Sequence, residues 1–148
     1  MRIGVIVASG LTENAQEEFV GELLISEDAC KITWTVPANP EDTAPSIFTL
    51  QYCPSCRVMK LHRSGDYDLR LVFADAATMP GDLTTPHGNF ELEIETKKLF
   101  ISEKLLCPAP NGEFLENAID LAYLLDFGDG EKQENQLSVH VKLAMSEE

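Results

Sequence analysis

The sequence predicts an all-β protein: an antiparallel up-and-down β-barrel of about eight to ten strands, one domain over residues 1–148. Three observations predict it. Apolar and polar residues alternate at period two in segment after segment, so each segment has one face for a core and one for water. Short clusters rich in Gly, Pro, Asn and Asp punctuate these runs: "ISEDAC", "VPANPEDTAP", "RSGD", "TTPHGN", "APNGE" and "FGDGEK". No helical stretch intervenes of the kind a parallel crossover requires. Such a meander closes into a barrel or folds as a sandwich, and the barrel is adopted here.

The elements follow in order. "MRIGVIVASG" reads as a first strand and "EFVGELLIS" as a second. Ile32, Trp34 and Val36 mark a third, and Phe48, Leu50 and Tyr52 a fourth. "CPSC" is then the turn of a hairpin into "RVMKLHR", with Pro54 and Ser55 at the central positions of a type I turn. Tyr67, Leu69, Leu71 and Phe73 alternate with Asp68 and Arg70. In "GNFELEIETKK" Phe90, Leu92 and Ile94 are expected inside, and Glu91, Glu93 and Glu95 in water. Leu99 and Ile101 fall on the opposite parity, which requires a bulge or strand break near Lys98. "EFLENAIDLAYLLDF" suits a helix by Phe114, Ala118, Leu121 and Leu125, but Ile119, Leu121, Tyr123, Leu125 and Phe127 alternate as well. The "GDG" turn that follows favours a strand. Leu137, Val139, Val141 and Leu143 form the last strand, before a frayed acidic end.

Composition narrows the function. Eleven Lys and Arg against 25 Asp and Glu give a formal charge of −14, which repels nucleic acid and anionic headgroups, so neither nucleic acid nor membrane is an expected partner. No run approaches the roughly 18 apolar residues of a membrane span. The apolar part of the opening segment is shorter than the roughly seven to fifteen residues of a signal-peptide core. The expectation is a cytoplasmic protein with reduced thiols.

Candidate chemistry is sparse. The cysteines are Cys30, Cys53, Cys56 and Cys107, and a single Cys-x-x-Cys lacks the second ligand pair of a structural zinc site. A thioredoxin-like pair needs its first cysteine at a helix N-terminus, whereas "RVMKLHR" alternates as a strand. Cys53 and Cys56 are therefore expected to be reduced, dispensable turn residues, and neither metal nor cofactor is expected. His62, His87 and His140 read as surface residues, and the glycine turns at Gly10 and "FGDG" lack a phosphate-loop pattern. No nucleophile–base set can be named, so a non-catalytic role is expected. More informative are Arg63, Arg70 and Thr96, polar residues on well-patterned strands. Arg63 shares its parity with Met59 and Leu61, so its guanidinium either reaches the barrel mouth, where it can hold a carboxylate, or snorkels and pairs with an acid such as Asp66.

The order and spacing of "MKLHRSGDYDLRLVF", "LTTPHGNFELEIETKKL" and "IDLAYLLDFGDGEKQENQLSVHVKL" resemble the YwiB-like family of small bacterial proteins. Its Arg-x-Gly turn and following strand correspond to Arg63, Gly65 and Phe73, and its Thr-Pro-x-Gly turn and threonine-bearing strand to Thr85, Pro86, Gly88 and Thr96. The asparagine before its last strand corresponds to Asn135. The likeness runs from about Phe48 to Leu143 and implies a calycin-like (lipocalin-like) barrel in a bacterial, cytoplasmic setting, with no established activity.

Two roles fit such a barrel. The first is binding of a small, partly apolar ligand, for example an acyl chain, with Arg63, Arg70 or Tyr67 meeting its polar end. The second is a solid barrel acting as an interaction or assembly module, including a homo-oligomer. The volume of the inward residues separates them: Trp34, Phe48, Tyr52, Tyr67, Phe73, Phe90, Tyr123 and Phe127 would fill a small barrel if most point inward.

Overall fold

Residue alternation gives ten strands among the described residues of the computed structural model, which are 2–9, 16–26, 29–38, 40, 43–106, 114–128 and 130–143. They are β1 (Arg2–Ser9), β2 (Gln16–Ile25), β3 (Cys30–Val36), β4 (Ser46–Cys53) and β5 (Val58–Ser64). The second half holds β6 (Asp68–Ala74), β7 (Thr78–Thr85), β8 (Gly88–Ile101), β9 (Phe114–Asp126) and β10 (Lys132–Leu143), with a short helix α1 (Glu103–Leu106) after β8. Every strand pairs antiparallel with its sequence neighbours, and β10 pairs with β1. The result is a closed up-and-down barrel, which leaves no sheet edge. Cys107, Gly10, the "APNGE" turn and the acidic end lie outside the described residues.

The structure adds one strand that the sequence pattern did not show and bears out two readings. "TMPGDLTT" is β7, although Pro80 and Gly81 interrupt its pattern. The β6–β7 ladder runs only from Asp68↔Thr84 to Arg70↔Asp82, so Pro80 stands beyond it, where its missing N–H costs no hydrogen bond to β6. Gly81 is required for packing: a Cβ there would lie 2.6 Å from Ile94 Cδ1 and 2.7 Å from the Arg70 carbonyl. Leu99 and Ile101 belong to β8 itself, because the register slips between Thr96↔Tyr123 and Lys98↔Ala122, at the expected bulge. Leu115 to Asp126 is strand, as favoured.

Inward parity builds the core from Ile3, Val5, Ile32, Trp34, Leu50, Met59, Leu71, Phe73, Leu92, Ile94, Ile119, Leu121, Val139 and Val141. The hairpin connections alternate between two rims. At the rim where β8 ends, α1 folds Leu105 fully into the core. At the opposite rim, which carries the β3–β4, β5–β6, β7–β8 and β9–β10 connections, the inward residues Val36, Phe48, Leu69, Leu83 and Leu125 are only partly buried. Phe90, expected inside with Leu92 and Ile94, is 48% exposed. It has the inward parity but stands two residues from the end of its strand, opposite Leu83, where the wall gives out.

Candidate functional site

The open rim gathers polar and aromatic groups from three consecutive strands. Counting outward from the β4–β5 turn pairs Phe48 with Arg63, and β5–β6 pairing sets Arg63 beside Leu69. Trp34 lies opposite Phe48 on β3, and their rings stack with centroids 5.4 Å apart and planes 4° off parallel. The Arg63 guanidinium carbon sits 5.7 Å from the Phe48 centroid and 3.9 Å from that of Tyr67. A layered row Trp34, Phe48, Arg63, Tyr67 results, held by stacking and by attraction of the cation to the negative ring faces.

Hydrogen bonds orient the cation. Arg63 Nη2 and Nε donate to Ser46 Oγ at 2.9 and 3.3 Å, and Ser46 is buried. Gly65 shapes the turn: its φ of 150° is a glycine conformation, and a Cβ would meet the Pro45 carbonyl at 3.0 Å and Ser46 Oγ at 3.2 Å. Asp66 then ties the turn to the β3–β4 loop. Thr43 N donates to Asp66 Oδ2 at 3.0 Å and the Thr43 hydroxyl donates to Oδ1. These bonds, first the hydroxyl, then the amide, and last the Arg63 charge, hold the Asp66 carboxyl below its ordinary pKa.

The structure brings Arg63 and Tyr67 together and leaves Arg70 apart. Arg70 lies opposite His62 on the outer wall and donates to Asp68 at 3.2 Å, as His62 also pairs with Asp68 at 3.0 Å. It borders an outer groove of about 550 Å³ with Lys31, Lys60 and His62. The family-motif positions divide similarly. Arg63, Gly65, Thr85, Pro86 and Gly88 lie at the open rim, where the Thr85 hydroxyl accepts from His87 N at 3.0 Å and donates to the Gly88 carbonyl at 3.2 Å. Asn135 lies within β10, not before it, and donates to the Gln133 carbonyl at 3.3 Å. Phe73 and Thr96 are buried deep in the barrel, Phe73 edge-on to Tyr123 at 4.8 Å. Ser46 and Thr43 were missed by sequence reasoning, because only the β3–β4 and β5–β6 connections meeting at one rim bring them to the motif.

Of the large residues that decide the interior, Trp34, Phe73 and Tyr123 are buried inside, Phe48, Tyr52 and Tyr67 are half-buried, and Phe90 and Phe127 are exposed. Large apolar side chains occupy the middle of the barrel, with Thr96 among them, and Arg63 stands at the rim. Among the described residues no group of three or more His, Cys, Asp or Glu could hold a metal ion, and no helix is long and apolar enough to cross a membrane.

The crystal structure of YwiB protein from Bacillus subtilis is similar over 97% of this chain and 91% of that one, with a TM-score of 0.63 at 12% identity, a likeness of calycin-like fold. No curated protein sequence matches the chain. A family model described as a domain of unknown function, DUF1934, matches residues 4–139, reaching well into the N-terminal third, and the chain belongs to that family.

Proposed function

We propose that the protein is a non-catalytic binder of a small, partly apolar acid, an acyl or aryl carboxylate, held at the open rim with its acidic end on Arg63 and its apolar part across Phe48, Leu69 and Leu83. The observation that carries this reading is Arg63 itself. A half-buried guanidinium stands on inward parity, oriented by Ser46 and faced by aromatic rings, at a rim where the apolar side chains of Phe48, Leu69 and Leu83 are only partly buried. Partial desolvation strengthens a charge-assisted bond, and the fixed fork suits a carboxylate. The filled interior favours a short or single-ring ligand over a long chain running through the barrel.

Trp34 is the chain's only tryptophan and stacks on Phe48, so its emission reports on the rim. Titration with benzoate and with a short-chain fatty acid should change that emission saturably in the parent. Arg63→Met should weaken binding by at least tenfold while leaving the thermal midpoint within a few degrees. No saturable change in the parent, or equal binding by the variant, would overturn the reading.

A second reading, an interaction module, is favoured by Val20 and Leu24 on the outer face of β2, 71% and 52% exposed. If that face joins two copies, sedimentation should show a dimer that Val20→Lys dissociates without changing ligand affinity.

A further inference from the structure

The β4–β5 turn carries two thiols that the rim does not use. Arg57 N donates to the Cys53 carbonyl at 2.7 Å, with Arg57 in the left-handed region at φ 59°, so the turn closes one residue later than the sequence predicts. That longer curl folds Cys56 back over Cys53 and sets their Sγ atoms 2.6 Å apart. Cys56 N also donates to Cys53 Sγ at 3.3 Å, and Ser55 Oγ lies 3.4 Å from it. Both cysteines are free, Cys56 exposed and Cys53 half-buried. Sequence reasoning required a helix N-terminus to stabilise a thiolate; here an amide and a hydroxyl of the turn supply the donors. The proton shared with Cys56, then the Ser55 hydroxyl and the Cys56 amide, lower the Cys53 pKa, while that shared proton raises the pKa of Cys56. Cys30, buried in the core, is pushed up to about 11 and stays inert.

We propose that Cys53-Pro54-Ser55-Cys56 is a covalent modification site, a dithiol that is oxidised by a low-molecular-weight disulfide and closes to an intramolecular disulfide. The Cys53 thiolate attacks one sulfur of the incoming disulfide; a bond from Cys53 Sγ to that sulfur forms and the first small thiolate leaves. Cys56 loses its proton and attacks Cys53 Sγ, forming the ring and expelling the second small thiolate, which takes that proton. Two electrons pass from the pair to the incoming disulfide, which departs as one thiol and one thiolate. Geometry favours this over a bridging metal ion. Two thiolates on a tetrahedral ion, each about 2.3 Å from it, would sit roughly 3.8 Å apart.

Incubation of the full chain with glutathione disulfide tests the assignment by intact mass and non-reducing peptide mapping. The parent should become two hydrogen atoms lighter, with Cys53 linked to Cys56 and no glutathionyl group retained. Cys56→Ser cannot close and should accumulate one glutathionyl group on Cys53, at least several-fold faster than Cys53→Ser gains one on Cys56. Retention of glutathione by the parent on either turn cysteine, equal rates in the two variants, or a pair still reduced when Cys56→Ser is fully modified would each overturn it.

Discussion

Arg63 and Thr96 are polar residues on inward parity that meet opposite fates. Arg63 stands at the rim, where Ser46 and two rings receive its charge. Thr96 is 1% exposed, beside the β8 bulge, and its Oγ1 has no hydrogen-bond partner among the described residues. Its backbone is satisfied, since Thr96 N donates to the Ala77 carbonyl at 3.0 Å. A buried hydroxyl without a partner carries a desolvation cost of about 1–3 kcal/mol, and valine has nearly the same shape. Thr96→Val should therefore leave denaturant stability unchanged or raise it by about 1 kcal/mol. A loss of more than that would mean the hydroxyl has a partner, such as a bound water.

At the scale of one strand, β8 shows how parity sorts side chains. Leu92 and Ile94 are buried, while Glu91 and Glu93 are exposed. Glu95 is half-buried and held below its ordinary pKa by Lys97 at 3.0 Å and Lys132 at 3.2 Å. Ile94→Glu would bury a charge against Gly81 and should abolish cooperative unfolding. Glu93 lies opposite Asp126, a like-charge pair. Glu93→Lys should therefore fold and melt at the parent temperature or slightly above, within the about 0.2–1 kcal/mol of a cross-strand pair. Circular dichroism melts of both variants check the assignment, and equal tolerance would contradict it.

For the whole molecule, charge and burial define a window of pH stability. Asp66 and Glu95 have depressed carboxyl pKa values, so their bonds stabilise the fold above the ordinary values of 3.8 and 4.5 and are lost as pH falls through the folded values. Cys30 and Tyr123 are shifted the other way, by burial, from 9.0 to about 11 and from 10.0 to about 12. Their contribution is complete below pH 9 and is lost as pH rises toward those values. Melting temperature against pH should thus form a plateau that falls on both sides. Asp66→Asn should lower the plateau and shallow the acid slope, and Cys30→Ala should shallow the alkaline slope. An unchanged acid limb in Asp66→Asn would show that the Thr43 link does not hold the rim.

The sequence alone determined nine of the ten described strands in kind and place, the bulge near Lys98, and the hairpin at "CPSC". Those features depend on residues near one another in the chain: a period-two pattern specifies which face is buried, and a parity change demands an extra residue. It also singled out Arg63, Arg70 and Tyr67 as candidates for the neighbourhood of a mouth. Only the tertiary structure decided that the sheet closes through β1 and β10, that Pro80 is tolerable because the β6–β7 ladder ends before it, and that Phe90 has inward parity yet little cover. Parity already places Arg70 on the outer wall, whereas strand register brought Ser46, Phe48 and Trp34 to Arg63. Parity says which face a side chain takes but not how far along the barrel axis it sits, and that height, set by pairing between strands distant in sequence, separates a core residue from one at the rim.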